Sequence, residues 1–330
     1  MSAPQTRDTP LAADLLAAAR AGDGEAFNAL VGPHLRALHV HAYRMLGSLD
    51  EADEALQDAL LNAWRALDTY QGQAPLSHWL YRITSTSSLK VIRAKARRPV
   101  LAGEIGHLQP YPDRLLDQLA DADADPAAIA ERRESIALAF ITALQRLPAR
   151  QRAALILRDV LAWSAVEVAD LLEISVPAVN SALQRARATL PGTRPADACL
   201  ARPRLDDHQR QVLDRFTDAW QRCDINALAA LLREDVILSM PPELTRITGR
   251  AEVTRFFATV PAGGRLDTIR LVATGANGHP ALAAYLPDHS ARCQGYGIMV
   301  FTTSGDGIAT ITGFPSPGLF ERFGLPPTCD

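Results

Sequence analysis

The segment at residues 175–187, SVPAVNSALQRAR, combines an apolar helical stripe with side chains that can contact DNA. Its apolar residues recur at the three-to-four spacing of an amphipathic helix. Its short polar side chains suit the edges of bases, and its arginines suit phosphates. Pattern alone is equally consistent with an ordinary helical hairpin that has a solvated face. The candidate DNA-contacting residues are Ser175, Ala178, Asn180, Ser181, Gln184, Arg185 and Arg187.

Two short helices joined by a tight turn would position these side chains. In WSAVEVADLLEISVPAVNSALQRAR (163–187), Ser164 can cap a first helix and Ser175 a second, with a break beginning at Glu173. Pro177 falls in the first turn of the second helix, where its missing N–H costs nothing. This is the helix-turn-helix arrangement, in which the second helix enters the major groove of DNA.

A second candidate site for nucleic acid is a basic segment without acidic residues, RITSTSSLKVIRAKARR at 82–98. Phosphates would bind such a face, and the binding would weaken as salt rises. An acidic stretch, DRLLDQLADADAD, follows at 113–125. Within a chain of net charge −3, this contrast predicts a polyanion site beside an acidic tether.

Hydrophobic patterning divides the chain into parts. Its 330 residues, 48% of them hydrophobic, are enough for two or three globular domains. Helical periodicity runs over 11–98, with Asp50 as the candidate N-cap of one helix, and resumes over 129–190. The proline-rich segment 99–128 between them is interpreted as a linker. From 205 to 330, two helices precede segments rich in β-branched residues and glycine, which predicts an α+β domain.

Several classes of protein are disfavoured by the composition. Cys199, Cys223, Cys293 and Cys329 are scattered without metal-ligand spacing, so free thiols are expected, and no metal or cofactor is predicted. No apolar run approaches the roughly 20 residues that span a bilayer. Because the N-terminus also lacks a signal-peptide pattern, we expect a cytoplasmic protein without membrane contact.

Two of these segments resemble those of one protein family. LPARQRAALILRDVLAWSAVEVADLLEISVPAVNSALQRAR at 147–187 resembles region 4 of the bacterial extracytoplasmic-function (ECF) sigma factors, members of the sigma-70 family. DEADEALQDALLNAWRAL, followed by PLSHWLYRI, resembles region 2 of the same family. The two motifs occur in the right order around a linker, and the resemblance covers about 11–190. It implies a transcription initiation factor that binds core RNA polymerase and promoter DNA.

The resemblance also implies roles for individual residues. Region 4 would read the −35 element and contact the beta flap of the polymerase. The helix at 51–66 would dock on the beta-prime clamp through Asp53, Gln57, Asp58 and Leu61. Region 2 would capture a flipped base of the opening −10 strand and follow its backbone. The candidate −10 residues are Gln71, Gln73, Ser77, His78, Arg82, Thr86, Lys90, Arg93, Arg97 and Arg98.

Region 2 also contains an aromatic residue with core spacing and two departures from the family pattern. Trp79 is spaced with Ile83 and is interpreted as a core residue. The family often has Asn and Asp where this chain has Thr86 and Lys90, so the −10 preference is expected to differ.

From about residue 207 the chain resembles the SnoaL-like, nuclear transport factor 2-like cone, in which helices and a curved sheet surround a pocket. The motifs are MPP, ITGRAEV, ATGANGHPALAAYL and LFERFGLP. Relatives often have an aromatic pair before Gly249–Arg250, where this chain has Arg246–Ile247–Thr248, so the pocket wall is expected to differ. The predicted fold is multidomain: an all-α region 2 bundle, an all-α region 4 helix-turn-helix, and an α+β SnoaL-like cone.

Enzymes occur on the SnoaL-like fold, so this domain could carry catalytic groups. The ionisable candidates are Asp267, His279, Tyr285, Asp288 and His289. Both histidines lie in turn-like contexts and are interpreted as solvated loop residues. They form no acid–base constellation, so no catalytic residue is predicted.

The C-terminal domain is interpreted as a regulator of the sigma regions, and ligand binding is the alternative. It would regulate the sigma regions by intramolecular contact, or it would bind a small-molecule ligand. Its tail, GFPSPGLFERFGLPP (313–327), is either an adhesive segment for the sigma domains or the last strand and core of the cone. The alternative for the whole chain is a helix-turn-helix regulator that senses a small molecule through the C-terminal pocket and does not need core polymerase.

Overall fold

The computed structural model describes residues 9–95, 108–117, 136–190, 207–242, 245–287, 292–305 and 307–329. The chain divides into two compact units. The first comprises residues 1–98 and 148–186, and the second comprises 99–147 and 187–330. Arg97, Arg98, Cys199, Asp288 and His289 lie outside the described residues.

The helices of the described ranges account for both sigma-like segments. They are α1 Thr9–Arg20, α2 Gly24–Val31, α3 Leu35–Leu46, α4 Leu49–Arg65, α5 Leu76–Lys95, α6 Asp113–Asp117, α7 Leu138–Gln145, α8 Ala149–Leu155, α9 Ala165–Leu172, α10 Val176–Thr189, α11 Asp207–Gln221, α12 Ile225–Leu231, α13 Arg250–Thr259 and α14 Leu319–Phe323. A π-helical turn, Ile156–Val160, continues α8.

The long helix α4 begins two residues earlier than the sequence predicts. Gly47 ends α3 in the left-handed region, with φ 76°. Ser48 is extended, and its hydroxyl accepts a hydrogen bond from the backbone N–H of Glu51 at 3.4 Å. The prediction that Asp50 caps this helix is therefore wrong, because the extended residue after the glycine takes the cap and leaves Asp50 in the first turn.

Small side chains let the helices of the first unit pack closely. The buried face of α4 carries Ala52, Ala55, Ala59 and Ala63 at helical spacing. The facing helix α5 buries serines and threonines whose hydroxyls donate to carbonyls one turn back, as Ser88 does to Thr84 at 2.8 Å. Their hydroxyl groups are thus hydrogen-bonded inside the bundle. These small side chains therefore allow close helix packing without leaving a buried donor unpaired.

The second unit contains a curved mixed sheet. Its strands are β1 Leu232–Ser239, β2 Arg246–Thr248, β3 Arg270–Ala276, β4 His279–Pro287, β5 Cys293–Ser304, β6 Gly307–Phe314 and β7 Thr328–Cys329. In the described residues their order is β2-β1-β6-β5-β4-β3, with β7 paired to β5, and only β1 and β6 run parallel. The predicted α+β fold of this part is confirmed.

Helices α11, α12 and α13 cover the concave side of the sheet. Their contribution to the core is aromatic: the ring of Phe216 lies 5.0 Å from that of Phe301 and 6.1 Å from that of Phe257. Gly297 allows β5 to bend toward the end of β6, since a Cβ at this position would stand 2.4 Å from the carbonyl oxygen of Phe314. Close packing of strand against strand therefore requires glycine here.

Residues 108–117, which the sequence assigns to the linker, belong to the core of the second unit. Asn277, at the β3–β4 turn, is 1% exposed and adopts φ 56°. Its side-chain oxygen accepts from the N–H of Tyr111 at 2.7 Å, and its side-chain nitrogen donates to the carbonyl of Ile136 at 2.7 Å. The carboxylate of Asp113 accepts from the N–H of Gly278 at 2.8 Å. One buried amide thus fixes two parts of the chain that precede region 4 in sequence.

The C-terminal tail also belongs to this core. Leu319, Phe320 and Phe323 of α14 are buried, and the guanidinium of Arg114 donates to the carbonyls of Glu321 and Arg322 at 2.6–3.2 Å. Of the two interpretations of the tail, the structure supports the core one.

Candidate functional site

Four of the predicted −10 residues of region 2 share one face of α5. Residues His78, Arg82, Thr86 and Lys90 follow one another at intervals of four, so they line up along the helix. The last three are exposed, as is Arg93, whereas Ser77 and His78 are half-buried. A basic, solvent-facing stripe of this kind suits the backbone of a nucleic-acid strand.

A cavity of about 600 Å³ opens beside the N-terminal half of this stripe. Gln71 and Gln73 line it and are hydrogen-bonded to each other at 3.1 Å. The loop that carries them is braced by Tyr70, whose hydroxyl donates to the carbonyl of Ala74 at 2.9 Å. The structure therefore brings together the residues predicted to capture a base and those predicted to follow its backbone.

Trp79 contributes to this cavity as well as to the core. Its side chain is half-buried, packs against the hydrophobic cluster of α1, α2 and α3, and lies 5.4 Å from the ring of Tyr70. The predicted core role is therefore combined with a place in the cavity wall.

Arg82 and His78 beside the cavity have acidic partners on α9, within the same unit. Arg82 forms an ion pair with Asp170, and Nδ1 of His78 lies 3.6 Å from a carboxylate oxygen of Glu167. The imidazole of His78 also stacks on the indole of Trp163, with centroids 4.9 Å apart. Sequence reasoning missed these partners, although Glu167 and Asp170 are spaced to share a helix face. Arg82 and His78, which are predicted to contact the −10 strand, therefore contact the first helix of the helix-turn-helix in this structure.

Glu167 serves two purposes in this contact. Its carboxylate accepts from the N–H of Ser164 at 2.7 Å, and its own N–H donates to the Ser164 hydroxyl at 3.2 Å, which completes a capping box at the start of α9. These hydrogen bonds with Ser164 lower the pKa of Glu167, with smaller contributions from His78 and Arg158. The carboxylate is thus held ionised at the position where it meets His78.

The helix-turn-helix has the predicted geometry. Glu173 ends α9 in the left-handed region, with φ 53°, and the hydroxyl of Ser175 accepts from the N–H of Ala178 at 3.3 Å to begin α10. The apolar side of α10 is buried, and Ala178 is half-buried. The exposed side carries the remaining predicted −35 residues, namely Ser175, Asn180, Ser181, Gln184, Arg185 and Arg187.

The predicted polymerase-binding residues lie on α4, and the carboxylates of two of them contact side-chain nitrogens. Asp53 lies 3.1 Å from Nε2 of His39, and Asp58 lies 3.1 Å from Nζ of Lys90. The Asp58–Lys90 pair is solvent-accessible and contributes about 0–1 kcal/mol, so a partner can displace it. Lys90, a predicted DNA contact, is thus paired with Asp58, a predicted polymerase contact.

An exposed apolar stripe runs along the same helix. Gln57 is exposed, and Leu61 and Trp64 are 49% and 36% exposed. The ring of Trp64 is braced edge-on by Phe27 at 5.0 Å. Sequence reasoning missed Trp64, although its spacing from Leu61 was the available signal.

The ionisable candidates of the C-terminal domain do not converge on a common site. Asp267 is held by the guanidinium of Arg265 at 2.9 Å and 3.0 Å, which lowers the pKa of its carboxyl to about 2. The hydroxyl of Tyr285 donates to the carbonyl of Pro326 at 3.0 Å. His279 begins β4, and burial lowers its pKa to about 4. The expectation of a solvated loop histidine was wrong, because the Asn277–Gly278 turn places it directly in the strand.

Metal and thiol chemistry add nothing further in the described ranges. No group of His, Cys, Asp and Glu there is arranged to hold a metal ion. Cys223, Cys293 and Cys329 are free thiols. None of the described helices is long and apolar enough to cross a membrane.

Comparison with known families assigns each part of the chain. Residues 30–98 match the family model for sigma-70 region 2, residues 137–190 match that for sigma-70 region 4, and residues 213–310 match the SnoaL-like domain. The ECF RNA polymerase sigma factor SigG of Mycobacterium tuberculosis is 36% identical over 324 residues, which cover 93% of this chain and 85% of SigG. The chain therefore belongs to the ECF RNA polymerase sigma factors.

Two further relatives agree with this assignment. The ECF sigma factor SigM of M. tuberculosis is 34% identical over 178 residues, or 54% of this chain and 82% of SigM. The crystal structure of the M. tuberculosis ECF sigma factor SigJ superposes with a TM-score of 0.60 at 22% identity, covering 89% of this chain and 98% of that one. This shows the same fold, SnoaL-like extension included. The protein is thus an RNA polymerase sigma factor, which acts in transcription initiation.

Proposed function

We propose that this sigma factor binds promoters through two faces of its helical half. The stripe on α5 and the cavity beside it take the −10 strand, and the exposed face of α10 reads the −35 element in the major groove. The observation that carries this proposal is the convergence of Gln71, Gln73, His78 and Arg82 on one cavity at the head of a basic stripe. Because phosphate contacts dominate such stripes, binding will weaken steeply with salt.

The polymerase side of the proposal rests on α4. Leu61 and Trp64 give this helix an exposed apolar stripe, and Asp53 and Asp58 give it carboxylates at its margin. Core RNA polymerase is the partner, through its beta-prime clamp at α4 and its beta flap at region 4. The protein works in the cytoplasm, where the polymerase is, and neither a catalytic step nor a cofactor is assigned to it.

The C-terminal domain is proposed to modulate promoter use through the segment between regions 2 and 4. Asn277 and Asp113 tie residues 108–117 to the β3–β4 turn, and Arg114 ties them to α14. A segment held in this way shortens the free length of chain that connects region 2 to region 4.

Transcription from a randomised promoter library with purified core polymerase tests the proposal. Full-length protein should select both a −35 and a −10 element. Asn180→Ala with Gln184→Ala should change the selected −35 bases and leave the −10 element unchanged, since each base contact is worth about 1–3 kcal/mol of discrimination. The matched control is Gln221→Ala with Asn226→Ala, which removes the same side chains from exposed positions in the second unit.

Two results would contradict the proposal. An unchanged −35 preference in the α10 variant would remove the assigned contacts. DNA binding that persists while the protein fails to retain core polymerase would favour the alternative, a helix-turn-helix regulator independent of polymerase.

A further inference from the structure

The C-terminal domain contains a cavity of about 390 Å³ between α11, α13 and the concave side of the sheet. This volume falls within the roughly 300–1,000 Å³ typical of small-molecule sites. Met240, Phe256, Leu286 and Met299 are among its walls. The described lining contains no Asp, Glu, His, Lys or Arg, so a charged molecule would lose its hydration there without compensation.

One hydrogen-bond donor in this lining is unused. Trp220 is 2% exposed, and its indole Nε1 is buried without a hydrogen-bond partner among the described residues. Rings of Phe216 and Phe257 hold the indole, with centroids 5.7 Å and 5.5 Å away. A buried unpaired N–H is unfavourable and uncommon in folded proteins, and the indole N–H can only donate. A ligand that presents a hydrogen-bond acceptor would therefore satisfy the N–H of Trp220.

The mouth of the cavity is apolar and exposed. Val260 and Tyr296 both belong to the lining, and they are 58% and 49% exposed. Beside Val260, Ala262 adopts φ 47°, a left-handed conformation that an alanine rarely takes. Exposed large apolar side chains gathered at one opening mark a binding surface more often than a random surface position.

We propose that this cavity is a receptor site for a small, uncharged, largely apolar molecule that carries one hydrogen-bond acceptor, such as a ketone, for the indole N–H of Trp220. Asp267, His279 and Tyr285 are not part of its described lining, so the site binds its ligand without an acid or base at hand. The proposal concerns ligand binding only and stands independently of the promoter contacts proposed above.

Fluorescence titration of the full-length protein with prodan, an uncharged naphthyl ketone, tests the site. We expect saturable one-to-one binding with emission shifted to the blue, as in an apolar environment. Competitors of similar size then define the ligand class: 2-acetylnaphthalene carries the acceptor, 2-isopropylnaphthalene lacks it, and 2-naphthoate is charged. The ketone should displace prodan about fivefold better than the hydrocarbon, the value of one hydrogen bond, and more than tenfold better than the carboxylate. No saturable binding, or a carboxylate that competes as well as the ketone, would overturn the proposal.

Two variants locate the site. Trp220→Phe should abolish the preference for ketone over hydrocarbon; since both competitors are measured in the same variant, any general loss of affinity cancels. Ala284→Leu fills the cavity and should eliminate prodan binding, whereas Ala258→Leu, an exposed position on α13, should not. Thermal melts check that each variant is folded. If a variant does not fold, the competition series on the unmodified protein still decides the ligand class. Prodan binding unaffected by a folded Ala284→Leu variant would place the probe elsewhere and refute the assignment.

Discussion

At the scale of single residues, His41 shows how burial links the fold of region 2 to pH. Its Nε2 lies 2.8 Å from the hydroxyl of Ser85, and the residue is 0% exposed between α3 and α5. Ser85 already donates its hydroxyl hydrogen to the carbonyl of Tyr81 at 2.7 Å. Nε2 of His41 must therefore carry a hydrogen and donate it. In the neutral imidazole, Nδ1 then carries no hydrogen. Burial, and then the nearby Arg44, lower the pKa of His41 to about 3.

Acid should therefore weaken region 2. Above pH 6.5 the imidazole is neutral in both folded and unfolded chains; below it, only the unfolded chain takes up the proton, and stability falls as pH drops toward 3. The loss at pH 5 should be about 2 kcal/mol. Hydrogen exchange of α3 and α5 peptides at pH 7.5 and 5.0, corrected for intrinsic exchange rates, measures it. His41→Gln should flatten the dependence, while Ser85→Ala, which leaves the buried imidazole in place, should keep it. Equal slopes in the protein and in His41→Gln would contradict this prediction.

At the scale of elements, α5 and α9 make a contact that the proposed −10 binding would have to replace. Arg82 and His78 face Asp170 and Glu167 in the structure, yet the same side chains are proposed to contact the −10 strand. The side chains of Arg82 and Asp170 are 48% and 66% exposed, so their pair is weak and exchangeable. In the proposed complex, DNA phosphates and α9 would therefore compete for the same side chains.

Removing the acidic competitor should favour DNA. Asp170→Asn should tighten binding of a single-stranded −10 oligonucleotide about two- to fivefold, as expected for an exposed ion pair. Anisotropy titrations at about 0.15 M and 0.5 M salt should show the gain shrinking as screening increases. Glu173→Gln removes one charge from the turn after α9 and serves as the matched control. If it tightened binding as much as Asp170→Asn, net charge rather than the α5–α9 contact would be responsible.

At the scale of the whole molecule, Asn277 connects the C-terminal domain to the segment that precedes region 4. Its side chain bridges Tyr111 and Ile136, and its left-handed backbone suits asparagine far better than alanine. Alanine at this position removes both buried hydrogen bonds, at a cost of about 1–3 kcal/mol each.

Asn277→Ala should therefore release the 108–117 segment. We expect trypsin to cut after Arg114 at least several-fold faster, and promoter-dependent transcription to change with it. Asn226→Ala, an exposed position on α12, is the control and should behave like the unmodified protein. Faster cleavage with unchanged transcription would separate docking of this segment from regulation and remove the modulatory role.

Much of this organisation was predictable from local sequence. The spacing of Val179 and Leu183 predicted α10, Ser164 and Ser175 predicted the N-caps of α9 and α10, and the paired region 2 and region 4 motifs predicted the family. These signals are local because helix periodicity, capping and turns depend on residues within one or two turns. Even locally, the choice between Ser48 and Asp50 as a cap depended on the backbone conformation that Gly47 imposes.

The pairings between distant segments were settled only by the tertiary structure. Nothing in the sequence around Arg82 indicates that Asp170, 88 residues later, is its partner. Nor does the sequence around Tyr111 indicate Asn277, 166 residues away, or show that Trp220 meets β4, β5 and β6 around one cavity. Such contacts arise from how whole elements pack, because burial and charge pairing depend on position in space rather than distance along the chain. The sequence by itself therefore determined the family, the helix faces and their chemistry, whereas the fold decided which of those faces are already engaged and where a ligand has room to bind.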